Sequence, residues 1–210
     1  MPSERFYKLD PQKQERILDA AAEEFTREGY QAASINQIIK DADISRGSFY
    51  TYFLDKHDLF DFIFEQIKDN AVARIVQSLQ AHDGRMFETC RELMEEGFAL
   101  PQQCTHRFPK LICKLFTDYS IMEHLTESRA GDCEGQAREL QEGIDRLYPY
   151  LKQEGLSRED FYAVSDLLIT ISIKALIESF RCPERTERLK ERLYREYDMI
   201  EAGIKEGEKR

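Results

Sequence analysis

Wherever apolar residues recur regularly in this 210-residue chain they do so every three or four positions, and no stretch alternates as a half-buried strand would. That rhythm restricts the fold to helices packed on helices, so the expected class is all-α. Ile17, Ala21 and Phe25 form the first apolar stripe, with Glu15, Asp19, Glu23 and Arg27 on other faces. Asp10 as N-cap and Pro11 at the first helical position mark where this helix begins, and Gly29 marks its expected end. Hydrophobic residues make up 41% of the chain, too many for a disordered polypeptide and enough for a packed core.

Ser34 followed three residues later by Gln37 reads as a capping box, and Ile35, Ile38 and Ile39 then lie on one face of a short second helix that stops near Ala42. After Asp43 and Ile44, Ser45 can cap a third helix, Arg46 to Phe53, whose Phe49 and Phe53 face inward together. Asp55 caps a fourth helix running from about Lys56 to Gln80, long enough to span roughly 35 Å and act as a connector. Two short helices joined by a turn and resting on a first helix make a helix-turn-helix head. Residues 1–56 are read as that head, and residues 57–210 as a larger helical body.

In the body a turn is expected from Ala81 to Arg85. Helices follow at Met86 to Leu100, Arg107 to Leu125, Cys133 to Glu154, Ser157 to Arg181 and Pro183 to Glu206, with a loop at Thr126 to Asp132. Ser157 with Asp160 suggests another capping box, and Pro183 suits the first turn of the last helix. The apolar run Phe161 to Phe180 is as long as a membrane span, but Asp166, Lys174 and Glu178 are each costly in lipid, so it reads as a buried helix of a soluble protein with no membrane partner. The segment MPSERFYKLD has no apolar signal core, which makes the cytoplasm the expected location.

Cys90, Cys104, Cys113, Cys133 and Cys182 show no paired or zinc-ligand spacing, so free buried thiols are expected and neither a metal nor a cofactor is. The four histidines and the many carboxylates form no catalytic pattern. There is no GxSxG, HExxH or phosphate-cradling glycine loop, and no catalytic residue is assigned. A net charge of −10 argues against a protein that coats nucleic acid without regard to sequence. Up to Lys56 there are 8 basic and 10 acidic residues, against 22 and 30 afterwards, so any DNA contact has to be local.

The third helix supplies such a contact. Ser45, Arg46, Gly47, Ser48, Tyr50, Thr51 and Tyr52 form an outer run of small and hydrogen-bonding side chains, with Phe49 and Phe53 anchoring the helix from behind. A recognition helix needs that division, because one face approaches base edges while the other packs on the head. Arg46 suits a bidentate pair with guanine, and Gly47 lets backbone come close. Tyr50, Tyr52, Thr51, Ser48 and Ser34 are candidates for phosphate contacts, Lys56 for a point-charge clamp, and Asn36 and Gln37 for the groove edge.

The tract GYQAASINQIIKDADISRGSFYTYFLDKHDLF resembles the N-terminal signature of TetR-type repressors, through Gly29-Tyr30, Ser34, Ile38, Ala42, Ser45, Gly47, Phe49-Tyr50, Tyr52-Phe53 and Lys56. The chain departs from it at Asp43, where the family usually has Gly, and at Ala33, where Thr is frequent. The resemblance implies a one-component regulator, in practice a repressor, that binds double-stranded operator DNA as a dimer and is released by a small-molecule effector held in the body. It also implies that the last two helices pair with their copies.

The body agrees with a homodimer: Val164, Leu167, Leu168, Ile169, Ile171, Ile173, Leu176 and Ile177 leave the penultimate helix little polar face, and Leu189, Leu193, Tyr197, Ile200 and Ile204 keep a bundle rhythm on the last. Leu168, Ile171, Ala175, Phe180, Leu189, Leu193, Tyr197 and Ile200 are the expected dimer residues, and a two-fold dimer predicts a palindromic operator. An apolar or amphipathic effector is expected among Phe98, Phe108, Leu111, Ile112, Phe116, Tyr119, Met122 and Tyr148. The competing readings are an enzyme, which turnover lost on mutating a single His or carboxylate would revive, and a helical adaptor that binds protein, whose binding would be insensitive to salt.

Overall fold

Asp10 opens the longest helix of the head as expected, its side chain accepting from Gln12 N at 2.9 Å with Pro11 behind it. The computed structural model describes residues 1–100, 111–114, 142–151 and 157–207. Among these every regular element is helical: α1 Glu4–Tyr7, α2 Pro11–Ala32, α3 Ile35–Asp41, α4 Arg46–Tyr52, α5 Lys56–Ala81, α6 Met86–Ala99, α7 Arg158–Arg181 and α8 Thr186–Gly207. Two compact units result. The first holds Met1–Ala71 and residues 111–114, and the second holds residues 72–100, 142–151 and 157–207. The division falls inside α5 instead of at its start near Lys56, because Leu59, Phe60, Phe62 and Ile63 belong to the core of the head.

In the first unit Ile17, Ala21 and Phe25 are fully buried, and Ile38, Phe49 and Phe53 close over them. Gly29 breaks the helical backbone with φ 76°, yet the chain resumes helical form to Ala32, a turn beyond the expected end. The short α1 is not foreshadowed by any periodicity. It exists because Phe6 inserts among Phe53 (4.9 Å between ring centroids), Phe62 (5.6 Å) and Tyr52 (6.2 Å). Between α3 and α4 the backbone turns at Asp43 with φ 53°, the left-handed conformation that Asp tolerates better than most residues.

One capping expectation is corrected. Ser34 makes no side-chain cap on α3, and Gln37 donates instead to Asp41 at 2.8 and 2.9 Å. The buried Glu24 of α2 takes over: its Oε1 accepts from Ser34 N at 2.9 Å, while Oε2 pairs with Arg27. A buried carboxylate needs such partners, and here they tie α2 to the start of α3.

In the second unit Asp83 and Gly84, both at positive φ, make the turn between α5 and α6. Phe87, Met94, Phe98, Leu168, Ala175, Leu193 and Tyr197 form the core between α6, α7 and α8. Ser157 and Asp160 cap α7 reciprocally, with Asp160 N donating to Ser157 Oγ at 3.1 Å and Ser157 Oγ to Asp160 Oδ2 at 2.6 Å. Pro183 lies in a separate 3-10 turn, Pro183–Arg185, so α8 starts at Thr186. Gly97 permits the close approach of α6 to α7, since a Cβ there would stand 2.9 Å from a methyl of Leu176. Among the described residues no helix is long and apolar enough to cross a membrane.

Candidate nucleic-acid interface and a cavity in the second unit

α4 is held from behind and from both ends. Phe49 and Phe53 are buried, Ser45 Oγ accepts from Ser48 N at 3.0 Å at its start, and Ser3 donates to the carbonyls of Thr51 (2.7 Å, from Oγ) and Tyr52 (2.9 Å, from N) at its finish. What remains outward is a compact polar surface. Arg46 donates to Asn36 Oδ1 at 2.8 Å and lies over the Tyr50 ring at 5.6 Å, and that ring, 46% exposed, rests edge-on against Phe49. Asn36 on α3 thus orients the Arg46 guanidinium, leaving its other donors for a partner.

Gly47 lies at the centre of this surface. A Cβ built there would meet only Ser45 Oγ, at an ordinary 3.8 Å, so nothing inside the chain demands glycine. Glycine in a helix costs stability relative to alanine, and a missing side chain on an exposed face serves whatever approaches from outside. Ser34, Ser45 and Asn36 are exposed in the same region, with Ser48, Thr51 and Gln37 half-buried. Thr51 donates to Gly47 O at 2.9 Å.

Two of the expected phosphate contacts are placed differently. Lys56 directs its ammonium at the end of α2, donating to the carbonyls of Tyr30 (2.8 Å), Gln31 (3.0 Å) and Ala33 (3.2 Å), and lies 4.9 Å from the Tyr30 ring centroid. Its three N–H groups satisfy helix-end carbonyls, where a cation is favoured, and burial pushes its pKa below the ordinary lysine value. Tyr52 packs its ring against the core beside Phe6. No sequence signal marks this role of Lys56, since its acceptors stand more than twenty residues upstream.

The second unit contains a cavity of about 240 Å³ lined by side chains of α5, α6, α7 and α8 and by residues 144–151, with Leu79, Met94, Phe161, Leu168 and Ile169 among them. Of the effector residues expected from sequence, none of the described ones lines it. Phe98 is buried in the core under Lys190, Tyr148 lies against Phe161 and Arg158, Leu111 is buried in the core of the first unit, and Ile112 is half-buried. Phe108, Phe116, Tyr119 and Met122 lie outside the described residues. The signal that was available is the row Met86, Cys90 and Leu93 on one face of α6, all three of which line the cavity.

Several expected dimer residues are also reassigned. Leu168, Ala175, Leu189, Leu193 and Tyr197 are buried within the unit itself, Leu168 and Tyr197 against the cavity, while Ile171, Phe180 and Ile200 are half-buried. The large apolar residues that α7 and α8 expose are Leu167 and Met199, together with Ile173, which also lines the cavity. Helical periodicity locates a stripe but does not say whether the monomer or a partner covers it.

Around the cavity, Ser172 Oγ lies 2.5 Å from the Tyr197 hydroxyl and also donates to Leu168 O. Burial raises the Tyr197 hydroxyl pKa and pushes the Cys90 thiol up to about 12, so Cys90 stays a neutral, unreactive lining group. Nearby, Glu92 of α6 accepts from Ser78, from Arg74 at 2.8 Å and from His82 at 3.0 Å, all on the last turns of α5 or just beyond. The Ser78 hydroxyl, followed by Arg74, holds the Glu92 carboxyl at about 2.

Residues 17–63 match the family described as bacterial regulatory proteins, tetR family. The chain is 37% identical over 71 residues to the uncharacterized HTH-type transcriptional regulator YhgD of Bacillus subtilis strain 168, covering 32% of this chain and 37% of that protein. It is 37% identical over 85 residues to the HTH-type transcriptional regulator UidR of Escherichia coli K12, covering 40% and 43%. The match therefore spans less than half the length of these curated relatives. A tetR-family regulator from Pectobacterium atrosepticum superposes with a TM-score of 0.56 at 19% identity over 96% of both chains. FadR of Bacillus subtilis, solved in complex with stearoyl-CoA, superposes with 0.54 at 17% identity over 86% of this chain and 97% of that one. At these identities the structural likeness speaks for the all-helical fold.

Proposed function

We propose, from the match of residues 17–63 to the tetR family of bacterial regulatory proteins, that this chain is a DNA-binding transcriptional repressor acting as a homodimer in the cytoplasm and released from its operator by a small molecule bound in the second unit. The observation that carries this reading is the outward face of α4: Arg46 oriented by Asn36 and stacked on Tyr50, beside a Gly47 that the chain's own packing does not require. A guanidinium so held presents a planar fork to a guanine edge, and the bare backbone at Gly47 admits a phosphate or base.

A dimer gives the operator its symmetry. Ala163, Leu167, Thr170 and Lys174 follow one another along the exposed side of α7, and this face is the proposed contact with a second copy. Two recognition helices then enter successive major grooves about 34 Å apart, which requires a near-palindromic site. The cavity accommodates the effector, and release follows only when the effector binds the DNA-free form more tightly than the DNA-bound form.

Selection of bound sequences from a random DNA pool, with the purified full chain at stated salt, tests the reading. The expected product is a palindrome with half-sites about one helical turn apart. Arg46→Ala and Tyr50→Ala are expected to abolish the enrichment while helical content and dimer mass stay unchanged. A folded dimer that enriches nothing at low salt would sink the regulator in favour of a protein-binding head.

A further inference from the structure

Two charges on α7 are left unused by their own chain. Arg158 pairs with Asp145, Asp160 with the Ser157 hydroxyl, and Glu178 with Arg192 at 3.6 Å. Asp166 and Lys174 are both exposed and have no ion-pair or hydrogen-bond partner among the described residues. Nor can they serve one another, because eight positions along a helix set their Cα atoms about 12 Å apart.

Both lie on the face of α7 proposed to meet a second copy. Ala163, Asp166, Leu167, Thr170, Ile173 and Lys174 are all exposed and recur at steps of three or four along one strip of the helix, which half-buried Ile177 extends. Leu167 is 45% exposed and Ile173 38%, although Ile173 also lines the cavity. The strip has the same character read in either direction. Counted outward from Thr170, Leu167 is matched by Ile173 at three positions, Asp166 by Lys174 at four, and Ala163 by Ile177 at seven. Apolar residues answer apolar ones, and the acidic residue answers the basic one.

A surface that meets its own copy across a two-fold axis has to be self-complementary. Charge then decides which way the helices run. Parallel copies in register would set Asp166 against Asp166 and Lys174 against Lys174, and like charges so placed oppose association. Antiparallel copies centred on Thr170 bring opposite charges together twice, once on each side of the axis.

We infer that α7 packs antiparallel against α7 of a second copy about Thr170, with each Asp166 meeting the partner's Lys174. The inference rests on the homodimer reading and names the contact that fixes its register. At exposed positions such a pair acts less through raw affinity than by rejecting a misregistered or wrongly charged partner.

Charge exchange tests this in the full chain, read by sedimentation equilibrium at low salt, with circular dichroism to check that each variant stays helical. Asp166→Lys alone puts like charges together at Lys174 of the other copy, and Lys174→Asp alone does the same at Asp166. Each is expected to weaken dimerisation about tenfold or more. Mixed in equal amounts, the two variants are expected to form heterodimers about as tightly as the unaltered chain forms homodimers, because both charge pairs are then restored. The double variant Asp166→Lys with Lys174→Asp is expected to homodimerise likewise. Asp166→Arg and Lys174→Glu repeat the exchange should one of the first pair fail to fold. Single variants that dimerise as tightly as the unaltered chain, single variants that lose the dimer and do not regain it on mixing, or a double variant that stays monomeric would each overturn this register. In all three cases the unaltered chain still sediments as a dimer, so the homodimer reading stands. An unaltered chain that sediments as a monomer removes that reading and this pairing together.

Discussion

Gly47 separates what the chain needs for its own packing from what it offers to a partner. With room for a methyl group and an exposed helical position, Gly47→Ala is expected to stabilise the protein by roughly 0.5 to 1 kcal/mol in urea unfolding, because alanine loses less backbone freedom. The same variant is expected to weaken operator binding by about tenfold or more, the order of one lost base contact. A variant that is more stable and still binds DNA normally would show that nothing approaches there. Residue-level reading succeeded where the determinant is local: Asp10, Ser45 and Ser157 cap as their spacing implies, and Asp43 takes up the left-handed turn. It failed at Ser34 and Lys56, whose partners Glu24, Tyr30, Gln31 and Ala33 come from distant parts of the chain and leave no mark in spacing.

The elements themselves were largely legible, because α2 to α8 each carry a periodic stripe, a cap or a terminating turn. The exception is α1, four residues held by the single anchor Phe6, too short for a period to show. The pairing of the end of α5 with α6 was not legible, since it depends on two carboxylates of α6, Glu92 and Glu96, that both meet Arg74 from a separate helix. Glu92 gathers Ser78, Arg74 and His82, and its folded-state pKa of about 2 lies below the ordinary 4.5. A depressed carboxylate pKa contributes stability that is complete above the ordinary value and is lost as the pH falls from there towards about 2. The midpoint of urea unfolding, followed from neutral pH downward, should therefore drop through that window, and Glu92→Gln should flatten the drop while lowering stability at neutral pH. Parallel acid limbs for both proteins would assign the pH dependence to other carboxylates.

At the scale of the whole molecule, helical periodicity points to the class of the fold but does not say which apolar residues the monomer itself covers. Leu168, Leu193 and Tyr197 are buried in the unit's own core, whereas Leu167 faces outward, 45% exposed. Leu167→Glu is accordingly expected to yield monomers in sedimentation, to retain its helical content, and to lose affinity for a palindromic site more than for a single half-site. A dimer of unchanged mass would move the interface elsewhere. The position of Lys56 also bears on how an operator would be found. By capping α2, that ammonium is taken up by backbone carbonyls, in a chain whose net charge is already −10. Loose holding on arbitrary duplex depends on the number of phosphates neutralised, so a regulator of this kind would slide only briefly after each encounter. It would locate its site by repeated collision from solution, at a rate that depends little on the length of the flanking DNA.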